Sequence, residues 1–331
     1  MNLAEEIRQS VFKISGDNDF NDLALKIFRF QYETNPVFRE LSQLLRADPE
    51  KINNYLRVPF LPISLFRDHK IISGDESGFE KVFTSSGTTG SVPSRHFIRD
   101  LKLYEESFTR SFQFFYSDPE KYRFLALLPG YMERQGSSLV YMLDHLIRKT
   151  ERNGSGYFLH NMDTLEKHLQ ENQPASVQTI LFGASYALID FAERFPMNIS
   201  GVTVMETGGM KGRRKEMIRE ELHEILCHNL NVERVHSEYG MTELLSQAYS
   251  SGHGIFRAPP WMKILIRDVN DPLQFLPYGQ TGGINIIDLA NLYSCSFIAT
   301  RDLGKLHDDG SFEVLGRFDD SDVRGCNLMV V

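Results

Sequence analysis

The 331-residue sequence is poor in cysteine: Cys227, Cys295 and Cys326 are its three, and none forms a Cys-x-x-Cys pair. An odd number without paired spacing argues against a disulfide framework and a cysteine-based zinc site, and fits a reducing compartment. A basic excess is also lacking, since the formal net charge is -8 and no long basic stripe offsets it. That balance argues against a nucleic-acid partner held by bulk electrostatics. The short cluster Lys211, Arg213, Arg214 and Lys215 opens an amphipathic segment and reads as a solvated helix face. No apolar run approaches the length of a transmembrane segment. The start, MNLAEEIRQSVFKISG, has acidic residues where a signal peptide needs a basic beginning and a long apolar stretch. A cytoplasmic protein is expected. Repeats, low-complexity tracts and obvious linkers are missing too.

What the sequence does have is concentrated between residues 82 and 96, VFTSSGTTGSVPSRH. A run this rich in Gly, Ser and Thr is entropically costly to order, and its hydroxyls compete with regular backbone hydrogen bonding. An anion compensates: successive backbone N–H groups converge on phosphate oxygens, and hydroxyls add donors. A flexible Ser/Gly linker has a similar composition. The position between apolar Val82–Phe83 and the basic, Pro-containing Pro93, Arg95 and His96 favours the phosphate reading. The common phosphate loop ends in Gly-Lys-Ser/Thr, whereas here Gly90 is followed by Ser91 and Val92. Any phosphate is therefore bound by another architecture.

Along the chain, residues 20–46 suggest one or two amphipathic helices, and the Pro-punctuated RVPFLPISLF reads as extended. RFLALLPG (123–130), VQTILFG (177–183) and VTVMETGG (202–209) are short apolar runs, each closing on Gly. Helix-like segments at 137–149 and 185–195 lie between them. This alternation predicts an α/β protein with largely parallel strands, because a parallel connection needs a crossover element. Ligands in such sheets sit at the carboxyl ends of the strands. From about residue 262 the pattern changes to short alternating strands with Asp/Gly turns, predicting an antiparallel, barrel-like subdomain. The expected organisation is one domain over 1–331, with an α/β part to about 260 and the barrel-like part with a truncated hinge from about 261.

Three further stretches fit nucleotide chemistry. In SEYGMTE (237–243), Tyr239 can stack on a purine, Thr242 can bond a phosphate oxygen and Glu243 can hold Mg²⁺. In TRDLGKL (300–306), Asp302 can accept two ribose hydroxyls, and in GRFDDSDVRG (316–325) Arg317 suits ribose and phosphate oxygens. Taken singly, each also reads as an ordinary turn or cap. Their combination and order resemble the adenylate-forming enzymes: acyl- and aryl-CoA synthetases, firefly luciferase and the adenylation domains of peptide synthetases. Those carry a TSGTTG-x-PK loop, then YG-x-TE, then a TGD-like Asp, then GR-x-DD before a hinge. The match runs over about residues 80–326.

The resemblance implies an ATP cradle at Thr84, Ser85, Ser86, Gly87, Thr88, Thr89 and Gly90. It implies nucleotide contacts from Gly208, Gly209, Glu238, Tyr239, Gly240, Met241, Thr242, Asp302 and Arg317, with Mg²⁺ on Glu243. The family's Pro-Lys is here Pro93-Ser94-Arg95, which moves the catalytic positive charge to Arg95, and its Thr-Gly-Asp is Thr300-Arg301-Asp302. The sequence ends at Val331, so the small C-terminal domain of the family, with the lysine that assists adenylation, is expected to be absent.

LLPGYMERQGSSLVYM, ETGGMKGRRKE and the end DVRGCNLMVV look like the LuxE-type acyl-protein synthetases, fatty-acid ligases of bacterial bioluminescence. This subgroup implies activation of a fatty acid by ATP, transfer of the acyl group to Cys326, and delivery to a partner acyl reductase. An acyl-adenylate is a mixed anhydride open to a thiolate, and Arg324 would favour that thiolate if it points the same way. Cys326 also fits an ordinary buried residue. Tyr131, Arg134, Gln135 and Gly136 are expected near the substrate carboxylate. The apolar positions Leu139, Val140, Met142 and Leu143 fit either an acyl tunnel or core. Cys227 is expected to be structural on a helix, and Cys295 structural in a strand. The competing readings are a CoA ligase and a nucleotide-binding scaffold without catalysis.

Overall fold

The computed structural model describes residues 3–75, 77–85, 92–150, 154–171, 177–209, 214 and 217–318. Ser86 to Gly90 of the expected phosphate loop, the basic cluster other than Arg214, and Cys326 lie outside these residues.

The chain opens with helices α1 (Leu3–Ser10), α2 (Asp17–Thr34) and α3 (Pro36–Leu44). Pro36 starts α3 at a position whose N–H has no partner within the helix, and the Asn35 side chain caps it by accepting from the Phe38 N–H. The stretch read as extended holds the two-residue strand β1 (Leu61–Pro62) and then a single turn, α4 (Leu65–Asp68). Strands β2 (Lys81–Thr84) and β3 (Arg95–Ile98) form a separate antiparallel pair, with Thr84 opposite Arg95. The Ser/Thr/Gly run is the connection between them.

Next come α5 (Leu101–Tyr116), β4 (Tyr122–Leu127), α6 (Ser138–Thr150), β5 (Gly156–Tyr157), α7 (Met162–Gln170), β6 (Gln178–Ala184), α8 (Ser185–Arg194), β7 (Val202–Thr207), α9 (Arg219–Leu230) and β8 (His236–Tyr239). The order of these strands in the sheet is β5, β4, β6, β7, β8, and every pair in that series is parallel. All six residues of β4 are buried, as a parallel strand covered on both faces requires. Val140, Met142 and Leu143 on α6 are buried, and Leu139 is partly buried.

Direction reverses after β8. Strands β9 (Ala248–Ser250), β10 (Ile255–Arg257), β11 (Met262–Arg267), β12 (Thr281–Asp288), β13 (Phe297–Leu306) and β14 (Phe312–Arg317) pair antiparallel, and β1 adds to β13 in parallel. They continue the same sheet, which has twelve strands among the described residues. In β11 buried and partly exposed residues alternate, the mark of a strand with one solvated face. Cys227 lies on α9 as expected. Cys295 lies in the turn before β13 rather than in a strand; its thiol donates to the Phe297 carbonyl at 3.4 Å, and burial pushes its pKa up to about 12.

Candidate active site

The motif residues sit where the parallel and antiparallel halves of the sheet meet. Tyr239 ends β8, which is parallel to β7 on one side and antiparallel to β9 on the other. Its hydroxyl donates to Asp302 Oδ2 at 2.7 Å, and Arg317 Nε donates to Asp302 Oδ1 at 3.1 Å. The cross-strand register explains the second bond, because Asp302 on β13 lies opposite Arg317 on β14. Residues 63 and 15 positions apart thus share one carboxylate. Asp302 and Tyr239 are buried, whereas the Arg317 side chain is largely exposed, which leaves it accessible to a ligand. The Tyr239 ring packs edge-on to Phe256 and Phe312 with centroids 5.9 Å away.

A second group forms at the base of the Ser/Thr/Gly run. The Ser85 N–H donates to the Ser94 carbonyl (3.1 Å), and the Ser94 N–H donates to Ser85 Oγ (3.0 Å), closing the stem of the loop. Ser94 Oγ then donates to Glu243 Oε1. Ser94 stands where the family pattern has lysine, so a hydroxyl in contact with the predicted metal ligand occupies that position; Pro93 beside it was the available signal. Glu243 is 6% exposed, and burial raises its carboxyl pKa, partly offset by Ser94 and by the nearby Arg317 charge. That electrostatic influence ties the two groups together. Arg95 is exposed, with its guanidinium over the Phe97 ring at 5.8 Å.

Tight packing joins the remaining segments. The Thr84 N–H donates to the Gly136 carbonyl at 2.8 Å, and a Cβ on Gly136 would meet Thr84 Oγ1 at 2.6 Å. A side chain there would wedge the loop stem away from the stretch Tyr131–Gly136. Tyr131 begins a short turn, Arg134 is half-buried and Gln135 is exposed. On β8, Glu238 Oε2 accepts from Thr207 Oγ1 at 2.5 Å, and a Cβ on Gly240 would lie 2.5 Å from Glu238 Oε1. Only glycine fits beneath that carboxylate. Met241 and Thr242 are half-buried in the turn that follows.

Sequence reasoning missed the support beneath Gly208 and Gly209, which are exposed at the end of β7. Ser185 Oγ donates to the Gly208 carbonyl (2.6 Å), with Glu206 Oε2 3.1 Å away. Burial works to raise the Glu206 pKa, but His223 and Arg219 outweigh it and hold the carboxyl below its ordinary value. Arg219 Nε lies 3.3 Å from Glu206 Oε1, and its Nη1 donates to the Val314 carbonyl on β14 (2.7 Å), bracing the strand that carries Arg317. An open groove of about 400 Å³ between α5 and α6, lined by Lys102, Glu105, Arg110, His145 and Lys149 among others, includes none of the motif residues.

The donor set suits Mg²⁺ together with a polyphosphate. Among the described residues no three His, Cys, Asp or Glu side chains cluster as a metal cage. Mg²⁺ keeps water and takes phosphate oxygens, so the single carboxylate of Glu243 is an adequate protein anchor. No helix among the described residues is long and apolar enough to cross a membrane.

No family model matches the chain. It is similar to the long-chain-fatty-acid–luciferin-component ligase of Vibrio harveyi, with 21% identity over 330 aligned positions that cover 91% of this chain and 84% of that protein. Among solved structures, 2-hydroxyisobutyryl-CoA ligase in an open conformation with 2-HIB-AMP and CoA is similar over 93% of this chain and 72% of its own, with a TM-score of 0.64 and 15% identity. ATP-bound MatB from Rhodopseudomonas palustris is similar over 74% of this chain, with a TM-score of 0.54 and 18% identity; this chain spans 50% of its length. The chain has the fold of the large N-terminal domain of the adenylate-forming enzymes, as its motifs imply.

Proposed function

We propose that this chain is an adenylation domain that uses ATP and Mg²⁺ to activate a carboxylic acid, a fatty acid by preference, and passes the acyl group to a protein thiol. The observation that carries the reading is the convergence at one seam of the closed loop stem, Glu243 bonded to Ser94, and the Tyr239–Asp302–Arg317 group. In this reading the loop Thr84 to Gly90 and Thr242 hold the phosphates, and Asp302 with Arg317 holds the ribose. Tyr239, Gly208 and Gly209 border the base, with Glu238, Gly240 and Met241 shaping that wall. Arg134 and Gln135 face the acid. Mg²⁺ on Glu243 would neutralise phosphate charge.

The chemistry has two steps. A carboxylate oxygen of the acid attacks the α-phosphorus, the bond to the β-phosphate oxygen breaks, and pyrophosphate leaves. Arg95 and Arg317 offset the charge that builds on the phosphates. A thiolate then attacks the acyl carbon, AMP departs with the electron pair of the broken C–O bond, and a thioester remains. The resemblance of the C-terminal stretch to the LuxE-type synthetases, which accept the acyl group on a cysteine near that end, supports Cys326 as the thiol; burial raises the pKa of Cys227 and Cys295 and disfavours their thiolates. The resemblance to the Vibrio ligase supports the fatty acid, and the likeness of the motifs to the LuxE-type synthetases supports a protein partner such as an acyl reductase. A second reading, thioester formation on CoA, is supported by the likeness in fold to the CoA ligase.

Acid-dependent exchange of pyrophosphate into ATP, measured across a panel of free acids of graded chain length, tests the first step. Exchange that rises with long-chain acids is expected, and its absence with every acid would overturn the proposal. For the second step, labelled fatty acid with ATP and Mg²⁺ should attach to the protein and be released by neutral hydroxylamine. The label should vanish in Cys326→Ser while exchange persists. Labelling that survives in Cys326→Ala would place the acyl group on another residue and remove Cys326 from the reaction.

A further inference from the structure

The turn that carries Thr242 and Glu243 is gripped from behind by side chains with no assigned role. His96 on β3 is buried, and its Nδ1 lies 2.7 Å from the Thr242 carbonyl. Its Nε2 lies 3.0 Å from Asn291 Oδ1. Asn291, also buried, donates from Nδ2 to the Glu243 carbonyl at 2.7 Å. The backbone carbonyls of two successive motif residues are thereby contacted by one imidazole and one amide that pack against each other.

This connection is itself anchored. Gln31 on α2 donates from Nε2 to the Asn291 and Leu292 carbonyls at 3.1 and 2.9 Å. Three residues before Asn291, the buried Asp288 carboxylate accepts from the N–H groups of Leu245 and Ser246 at 2.8 and 2.9 Å and from Ser246 Oγ at 2.6 Å. The loop after β12 therefore holds residues 243–246 from one side, and His96 reaches Thr242 from the loop hairpin. Ser94 and Arg95, at the exit of the Ser/Thr/Gly run, are the two residues before His96.

Resting on the proposed reaction, we infer that His96 and Asn291 are positioning residues. They hold the Thr242–Glu243 backbone in register with the phosphate loop, so that hydroxyl, metal carboxylate and loop donors meet the same polyphosphate. Neither side chain touches substrate. Both partners are oxygens that only accept, so a neutral imidazole donates to one of them, and the shorter contact, 2.7 Å to Thr242 against 3.0 Å to Asn291, assigns the N–H to Nδ1. Burial favours the neutral ring, lowering the His96 pKa to about 4. The Glu243 carbonyl likewise fixes the amide orientation of Asn291 and turns its oxygen toward Nε2. With the proton on Nδ1 the ring donates to Thr242 alone, and Nε2 packs against the Asn291 oxygen without a proton between them.

That asymmetry sets the test. Asparagine reproduces the position of the imidazole Nδ1 and glutamine that of Nε2, so His96→Asn keeps the Thr242 bond and His96→Gln loses it. With ATP, Mg²⁺ and the best acid of the panel, His96→Gln and Asn291→Ala should lower kcat for pyrophosphate exchange about tenfold or more. KM for ATP should move less than about threefold, because ribose and base contacts are intact. His96→Asn should stay within about threefold of wild type. Equal kcat in His96→Asn and His96→Gln, or a lowered melting temperature with wild-type kcat in all three variants, would overturn the inference. A wild type without exchange would overturn the proposed function instead. Deuterium uptake over residues 239–247 then separates the two: faster uptake in Asn291→Ala would uphold the clamp, and unchanged uptake would sink it.

Discussion

Two strands show how differently the halves of the sheet are built. In β4, every residue from Tyr122 to Leu127 is buried, because helices cover both faces of the parallel half. In β11, Met262, Ile264 and Ile266 are buried while Lys263, Leu265 and Arg267 are partly exposed. Strand β4 is packed on both faces, whereas β11, at the end of the strand order, keeps one face toward solvent. The candidate site lies between them. The parallel half contributes Tyr239 and the exposed Gly208–Gly209, and the antiparallel half contributes Asp302 and Arg317. A recognition surface for a polar ligand needs both a rigid floor and accessible charged groups, and the seam provides each.

The contrast can be broken by stability measurements. Phe124→Ala on β4 should cost about 3–5 kcal/mol in urea unfolding, because it opens a cavity that neighbours on both faces cannot fill. Leu265→Thr on β11, at a partly exposed position, should cost about 1 kcal/mol or less. Similar losses for both would mean that the two halves are packed alike.

The antiparallel contribution to binding is sharpened by Asp302→Ala, expected to weaken ATP by about 1.5–3 kcal/mol through loss of charge-assisted bonds. Calorimetry finding equal affinity would remove Asp302 from the site. Tyr239→Phe comes next, at about 0.5–1.5 kcal/mol. A role for the ring in stacking would leave the hydroxyl dispensable, but the hydroxyl orients Asp302 across the seam. A wild-type affinity in Tyr239→Phe would show that Arg317 alone orients the carboxylate.

A small effect is expected on pH dependence. His236 bonds Tyr116 through Nδ1, and burial, reinforced by Arg234, lowers its pKa from 6.5 to about 4. A histidine kept neutral in the fold binds its proton more readily when unfolded. Its stabilising effect is therefore complete above pH 6.5 and is lost as pH falls from 6.5 toward 4. Because the ring is partly exposed, the loss between pH 7 and 5 should be about 1 kcal/mol. His236→Gln should flatten the stability profile by that amount, and an unchanged slope would assign it to other groups.

The sequence made some of this legible and concealed the rest for physical reasons. Periodicity located α2, α6, α8, the strands β4, β6 and β7 and the alternating strands after residue 262, since a buried face leaves a repeat in the chain. Tyr239, Asp302 and Arg317 were readable because each lies in a short motif. Gln31, His96, Asp288 and Asn291 were not, because they satisfy backbone groups of segments far away in sequence; Gln31 bonds residues 260 and 261 positions on. A buried amide or carboxylate leaves no local pattern when its partners come from another element. The misplacement of Cys295 has a related cause, because an apolar residue beside a strand looks like part of it.

Pyrophosphate exchange in wild type and Glu243→Gln, run side by side with ATP binding by calorimetry, tests the central claim most directly. The account predicts that wild type exchanges only when a carboxylic acid is present. It predicts that Glu243→Gln binds ATP but exchanges slower by about two orders of magnitude or more, a barrier increase of about 3 kcal/mol. Equal exchange in the two proteins, or exchange indifferent to added acid, would contradict it.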